Sequence, residues 1–376
     1  MNTTIKNGNI VTADGVIHGG ALTVSDGKIL SLGTDIPLTG EVYDAGGNYI
    51  LPGYIDIHTH ADGDTFFYED PEKAARTLIE HGVTSVFPAL YFSADKNELL
   101  RQIKLMRDAM NSGKAPNIAG LYMEAPYLNP KYGCDRENNP WTGDISPEDY
   151  MPIVDAAADI AGVWCVAPER PGIEKFCGYV KEKNHRAVFS VAHSEATPEQ
   201  VEALIPCGLR LATHHTNATG AIPKYPECRP VGVDDAVWYN DCIYAEIICD
   251  IMGIHVNPYL QRLIRKIKGD DRIILISDSF VANGPVPPGY DGADDINFDF
   301  AGEIAGTRLT LDRACRNFMK HTGAGIDTVS RFASLNPAAM LGRGDIGRLC
   351  PGCRADIVVS DDRGFVQRVM KNGSWV

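Results

Sequence analysis

A chain of 376 residues carrying a formal charge of −14 offers no basic face to a nucleic acid, so no nucleic-acid partner is expected. It is long enough to bury a large core, and its 44% hydrophobic residues are never drawn into an 18-residue apolar run, so no membrane partner is expected. The opening residues, Met1-Asn2-Thr3-Thr4-Ile5-Lys6-Asn7, lack a secretion-signal core, and ten scattered cysteines in a chain of this size predict a cytoplasmic location with reduced thiols.

The first 50 residues read as short strands at 4–6, 9–12, 21–24 and 28–32, separated by Asn-Gly, Asp-Gly and Gly turns. The last 30 residues look alike, with strands at 355–360 and 366–371 and an Asn372-Gly373 turn. Neither end has enough apolar residues for its own core. Both are expected to build one small β-sandwich domain from residues 1–51 and 346–376. Cys350-Pro351-Gly352-Cys353 has no second C-x-x-C pair to complete a zinc site and reads as a Pro-Gly turn.

The run Tyr49-Ile50-Leu51-Pro52 leads into Gly53-Tyr54-Ile55-Asp56-Ile57-His58-Thr59-His60. Side chains two apart on a strand share a face, so His58 and His60 project together, about 7 Å apart along the strand. Helical patterns follow at 71–81 and 94–111. Apolar strands are expected at 84–89, 117–124, 162–167, 187–193, 209–214, 244–249 and 273–278. With the strand at Tyr54 this makes about eight strand–helix units. The predicted fold class is α/β, a (β/α)8 TIM-like barrel over residues 52–345.

The carboxyl ends of barrel strands carry the chemistry in this architecture. Here they hold His58 and His60, Glu124, His193, His214 and Asp278. Imidazoles and carboxylates of this kind bind Zn²⁺, Fe²⁺ or a similar divalent ion and leave a position open for water, whose pKa the ion lowers. A carboxylate that is not a strong ligand, Asp278, can take the water's proton and pass it to a leaving amine. The expected reaction class is metal-assisted hydrolysis. His215 follows His214 and points to the opposite side if the strand continues.

These residues resemble the amidohydrolase superfamily, and within it the N-acetylglucosamine-6-phosphate deacetylase family. Besides the strand around His58, the resemblance rests on Glu124-Ala125-Pro126-Tyr127-Leu128-Asn129-Pro130, His193-Ser194-Glu195, and Ala212-Thr213-His214-His215-Thr216-Asn217-Ala218. It continues with Asp250 and His255-Val256, Ile276-Ser277-Asp278, Ala305-Gly306-Thr307, and Gly347-Arg348-Leu349 through Val359. It implies that Glu124, His193 and His214 bind a principal metal. His58 and His60 would complete a second site, giving one or two ions per subunit. Asp278 would be the catalytic base and then the acid. Asn217, the Ala218 backbone and His255 would hold a sugar phosphate, and a loop from Ile304 to Thr307 would close on the sugar through Ile304, Ala305 and Gly306. The family relation implies a homodimer acting on a small amino-sugar phosphate. The implied reaction converts N-acetylglucosamine 6-phosphate to glucosamine 6-phosphate and acetate. The alternative is deacylation of another N-acyl sugar, such as N-acetylgalactosamine 6-phosphate, or of an N-acyl amino acid.

Three positions depart from the family pattern. Ala125 stands where the family has Gly. Asp135, in Lys131-Tyr132-Gly133-Cys134-Asp135-Arg136, stands where it has a carbonyl-polarising His, and an anionic group cannot stabilise an oxyanion. In the segment expected to bind phosphate, Arg229 sits one residue later than its counterpart.

Overall fold

The two ends of the chain meet in one sheet. The computed structural model describes residues 2–376. Its N-terminal strands are β1 (Thr3–Thr12), β2 (Gly15–Ser25), β3 (Lys28–Gly33), β4 (Glu41–Asp44) and β5 (Tyr49–Pro52). After them come the barrel strands β6 (Tyr54–Thr59), β7 (Val83–Tyr91), β8 (Leu121–Glu124), β9 (Ala161–Val166), β10 (Val188–Val191), β11 (Leu209–Ala212), β12 (Tyr244–Ile248) and β13 (Ile273–Ile276). The chain ends with the hairpin β14 (Ile296–Phe298) and β15 (Ile304–Thr307), then β16 (Ile357–Ser360), β17 (Val366–Lys371) and β18 (Ser374–Trp375).

The terminal strands run in the order β18-β17-β16-β5-β1-β2-β3, with β4 beside β1. β16 lies antiparallel to β5, Val358 opposite Leu51, so the C-terminus is stitched to the strand that leads into the barrel. Their core is Ile5, Leu22, Val24, Ile50, Ile357 and Met370, all fully buried or nearly so. The strands expected at 4–6 and 9–12 are one strand, β1, whose pairing slips at Gly8. Asn7 adopts φ +55° there, and a Cβ on Gly8 would collide with Ile50. The Asn-Gly pair makes a bulge rather than a turn.

Strands β6 to β13 pair in sequence, each parallel to the next where its ladder is formed. The first and last strands are tied by loop-end contacts. The Asp278 N–H donates to the His58 carbonyl at 3.0 Å, and the His60 and Ala61 N–H groups donate to the Ser279 carbonyl at 2.9 and 3.0 Å. The barrel seam therefore closes where the predicted ligands sit. Strands such as Ile273–Ile276 are apolar throughout because helices cover the outside while side chains fill the inside. The helix Pro71–Glu80 begins at Asp70, whose side chain accepts the Lys73 N–H, and Lys96–Ser112 begins likewise at Asp95 and stops at Gly113 with φ +73°.

β8 is shorter than the expected 117–124. The Asn117 side chain is spent on the carbonyls of Ala75 and Val83, and the ladder starts only at Leu121. Among the described residues no helix is long and apolar enough to cross a membrane.

Candidate metal centre

The strand ends converge on a cavity of about 300 Å³ at the mouth of the barrel. His193, His214 and Asp278 all take positive φ, +42°, +30° and +45°. Such backbone is uncommon outside glycine and costs on the order of 1 kcal/mol or more. Here it turns the chain sharply at the end of each strand and aims the side chain into the mouth.

Glu124 stands at the centre of the cluster. Its Oε1 lies 2.7 Å from His193 Nε2 and 3.3 Å from His214 Nε2, and the two Nε2 atoms are 3.1 Å apart. Its Oε2 lies 3.1 Å from His60 Nε2 and 3.6 Å from His58 Nε2. Asp278 Oδ1 completes the second group, 3.6 Å from His58 Nε2 and 3.5 Å from His60 Nε2. One carboxylate thus spans two sets of ligand atoms.

The residues fit a divalent ion. His58 Nε2 and Glu124 Oε2 are buried without a hydrogen-bond partner among the described residues. Each of the two sets, Glu124/His193/His214 and His58/His60/Asp278, keeps its ligand atoms within 4.8 Å of one another. In the first set the separations of 2.7–3.3 Å are closer than the edge of a tetrahedron with ion–ligand bonds of about 2.0–2.2 Å, roughly 3.3–3.6 Å, so the three side chains would spread slightly to admit an ion.

Charge is distributed to match. Burial alone would raise the Glu124 carboxyl, but His58, His193 and His214 hold it well below the usual range. Asp278 is held low in the same way, against its burial, by His58 and His60. Burial pushes the His193 imidazole down. His58 is held well above its ordinary value because Asp278 and Glu124 outweigh its burial.

The other predicted residues divide. Asn217, Ala218 and His255 line the cavity. The Asn217 Nδ2 is buried with no partner among the described residues, a donor waiting for an acceptor. His255 Nδ1 lies 3.2 Å from Asp250 Oδ2, which fixes the ring. Ile304 and Gly306 also line the cavity, but Ala305 does not. The segment is strand β15 and not a loop, so alternation turns Ala305 to the other face. Arg229 lies outside the cavity. Its side chain is 79% exposed and reaches Asp235 at 3.5 Å, in a segment running over the surface ahead of the helix Val233–Tyr239. His215 is buried beside Trp238 and also lies outside. Asp135 faces away, accepting from Asn138 Nδ2, and Cys134 faces the cavity in its stead.

Sequence reasoning missed Glu246, whose Oε2 lies 3.2 Å from His58 Nδ1, and Tyr91, which packs edge-on to His60. A lone carboxylate inside the apolar run 244–249 was the signal for the first.

Residues 49–376 match the model of the Amidohydrolase family. The N-acetylglucosamine-6-phosphate deacetylase of Haemophilus influenzae is 29% identical over 349 residues, covering 88% of this chain and 87% of the relative. The N-acetylgalactosamine-6-phosphate deacetylase of Escherichia coli O157:H7 is 26% identical, covering 99% of each. The crystal structure of N-acetylglucosamine-6-phosphate deacetylase from Pasteurella multocida superposes over 100% of both chains with a TM-score of 0.86 at 29% identity.

Proposed function

The chain belongs to the amidohydrolase family, and from that premise we propose that it removes the N-acetyl group of N-acetylglucosamine 6-phosphate. The products are glucosamine 6-phosphate and acetate. The observation that carries this reading is the cavity whose lining combines Glu124, within reach of both ligand sets, with the orphaned amide of Asn217 and the ring of His255. Full-length likeness to sugar-phosphate deacetylases supports it.

Glu124, His193 and His214 would hold the principal ion, with His58 and His60 beside Asp278 available for a second. A divalent ion bound there acidifies water and polarises a carbonyl. Asp278, held ionised, takes the proton of the attacking water as oxygen bonds to the acetyl carbon. It returns that proton to the sugar nitrogen as the C–N bond breaks, leaving acetate and a free amine. Asn217 Nδ2 donates to the sugar, and His255, braced by Asp250, is aimed at the phosphate end.

Zinc or iron as the ion and a cytosolic homodimer as the working form complete the reading. Ten free thiols suit a reducing compartment. The second reading is the galacto epimer, which the Escherichia coli relative supports. Acetate release from N-acetylglucosamine 6-phosphate, its unphosphorylated counterpart and N-acetylgalactosamine 6-phosphate tests both. Fastest turnover of the first is expected, and no acetate from any would refute the reading.

A further inference from the structure

Three carboxylates line the cavity: Glu124, Asp278 and Glu303. The first two belong to the metal centre. Among the described residues lining it, Arg136 is the single Lys or Arg. A phosphate monoester brings a charge of about −1.5 to −2 at neutral pH. Entering past an unneutralised Glu303, it would meet repulsion.

Arg136 and Glu303 face each other across the mouth. Arg136 belongs to the single turn Arg136–Asn138 that follows β8, and Glu303 directly precedes β15, whose Ile304 and Gly306 line the cavity. The two guanidinium nitrogens lie 3.2 and 3.4 Å from the two Glu303 oxygens. A well-made charge-assisted pair closes to about 2.7–2.9 Å. This one is loose, with side chains 41% and 52% exposed, and such pairs contribute little. Its fork geometry is the one that grips phosphate. Arg229, by contrast, is far more exposed and outside the cavity.

We propose that Arg136 receives the phosphate of the substrate, exchanging its loose partner Glu303 for it. The assignment rests on the phosphorylated-sugar reading above. Glu303 then weakens phosphate binding in the free enzyme and tunes the preference for phosphorylated sugars.

The readout is the ratio of kcat/KM for N-acetylglucosamine 6-phosphate to that for N-acetylglucosamine, which cancels any general loss of activity. Arg136→Ala should lower this ratio at least about tenfold, chiefly through KM for the phosphorylated sugar. Arg136→Lys, keeping a point charge without the fork, should recover part of it. Glu303→Gln should raise the ratio. A ratio within about twofold of wild type in Arg136→Ala, or one that collapses only in Arg229→Ala, overturns the assignment. An unchanged ratio in Glu303→Gln overturns the exchange. A wild-type enzyme with a ratio near one fails the phosphate reading itself, and this assignment with it.

Discussion

His58 Nδ1 lies 3.2 Å from Glu246 Oε2, in the barrel interior where both residues are fully buried. The same oxygen accepts the His214 backbone N–H at 3.1 Å. Glu246 therefore holds the proton of His58 on Nδ1 and turns the Nε2 lone pair toward Glu124 and Asp278, while it steadies the backbone of a ligand from the other set. Glu246→Leu removes both contacts at similar volume. The expected result is about 10- to 100-fold weaker metal affinity in a folded barrel. Metal content after dialysis against graded chelator, with circular dichroism as the check on folding, decides it. Wild-type affinity would sink the orienting role.

Asp278→Asn keeps shape and loses the proton acceptor. Asp278 stands in the His58/His60 set and outside Glu124/His193/His214, so the principal ion should stay. Turnover is expected to fall by about 10²- to 10⁴-fold. Single-turnover kinetics and metal analysis on the same sample check both halves. Equal activity in the variant would refute the base, and loss of the principal metal would refute the division of ligands.

Protons compete with the ion for this site. His58 and His214 are held above their ordinary value, each against its burial, by Asp278 and Glu124 for the first and by Glu124 for the second. These imidazoles must lose protons to ligate, so the apparent metal affinity should rise with pH until they are neutral and fall below it. The loss on the acid side should approach about one decade per pH unit for each proton displaced. Metal titration across pH 5–8, with proton release followed in weak buffer, measures it. Stripping the ion should abolish activity and lower Tm, and both should return on adding metal. A pH-independent affinity would contradict the picture of a proton-loaded site.

The candidate ligands at the strand ends were legible because a barrel strand buried on both sides must be apolar, which leaves the polar residue at its end conspicuous. His58, His60, Glu124, His193, His214 and Asp278 all carry that mark and cluster at the barrel mouth, where all but the fully buried His58 line the cavity. Glu246 carries a different one: a carboxylate within an otherwise apolar strand has to find a partner. It was read as part of a strand and nothing more. The loop residues were less legible for a physical reason. Whether Cys134 or Asp135 faces the cavity depends on the left-handed backbone of Asp135, φ +58°, which no spacing discloses. Ala305 was grouped with its neighbours because the family resemblance implied a loop there. Pairing with β14 made it a strand, and alternation then separated it from Ile304 and Gly306.

Gly306 links that hairpin to Asp278, the proposed base. It holds φ +63°, and a Cβ there would come within 2.7 Å of Phe280 Cβ and 3.0 Å of the Asp278 carbonyl oxygen. The neighbouring Thr307 N–H donates to the Asp278 carbonyl at 3.0 Å, and the Phe280 N–H donates to the Thr307 carbonyl at 2.9 Å. β15 thus clamps residues 278–280 in register, and Phe280 packs edge-on to His60 at 5.5 Å. Gly306→Ala adds left-handed strain of about 1–2 kcal/mol and pushes on both sides of the clamp. A lower Tm is expected, but the larger effect should be on kcat, at least about tenfold, because a displacement near 1 Å at the base can cost about 10² in rate. Removing the obstructing Phe280 Cβ should restore part of the loss, so Gly306→Ala combined with Phe280→Gly should fall by less than the product of the two single effects. Steady-state kinetics and melting curves on the three variants test the clamp. A Gly306→Ala enzyme with wild-type kcat would show that Asp278 is positioned by its own strand alone.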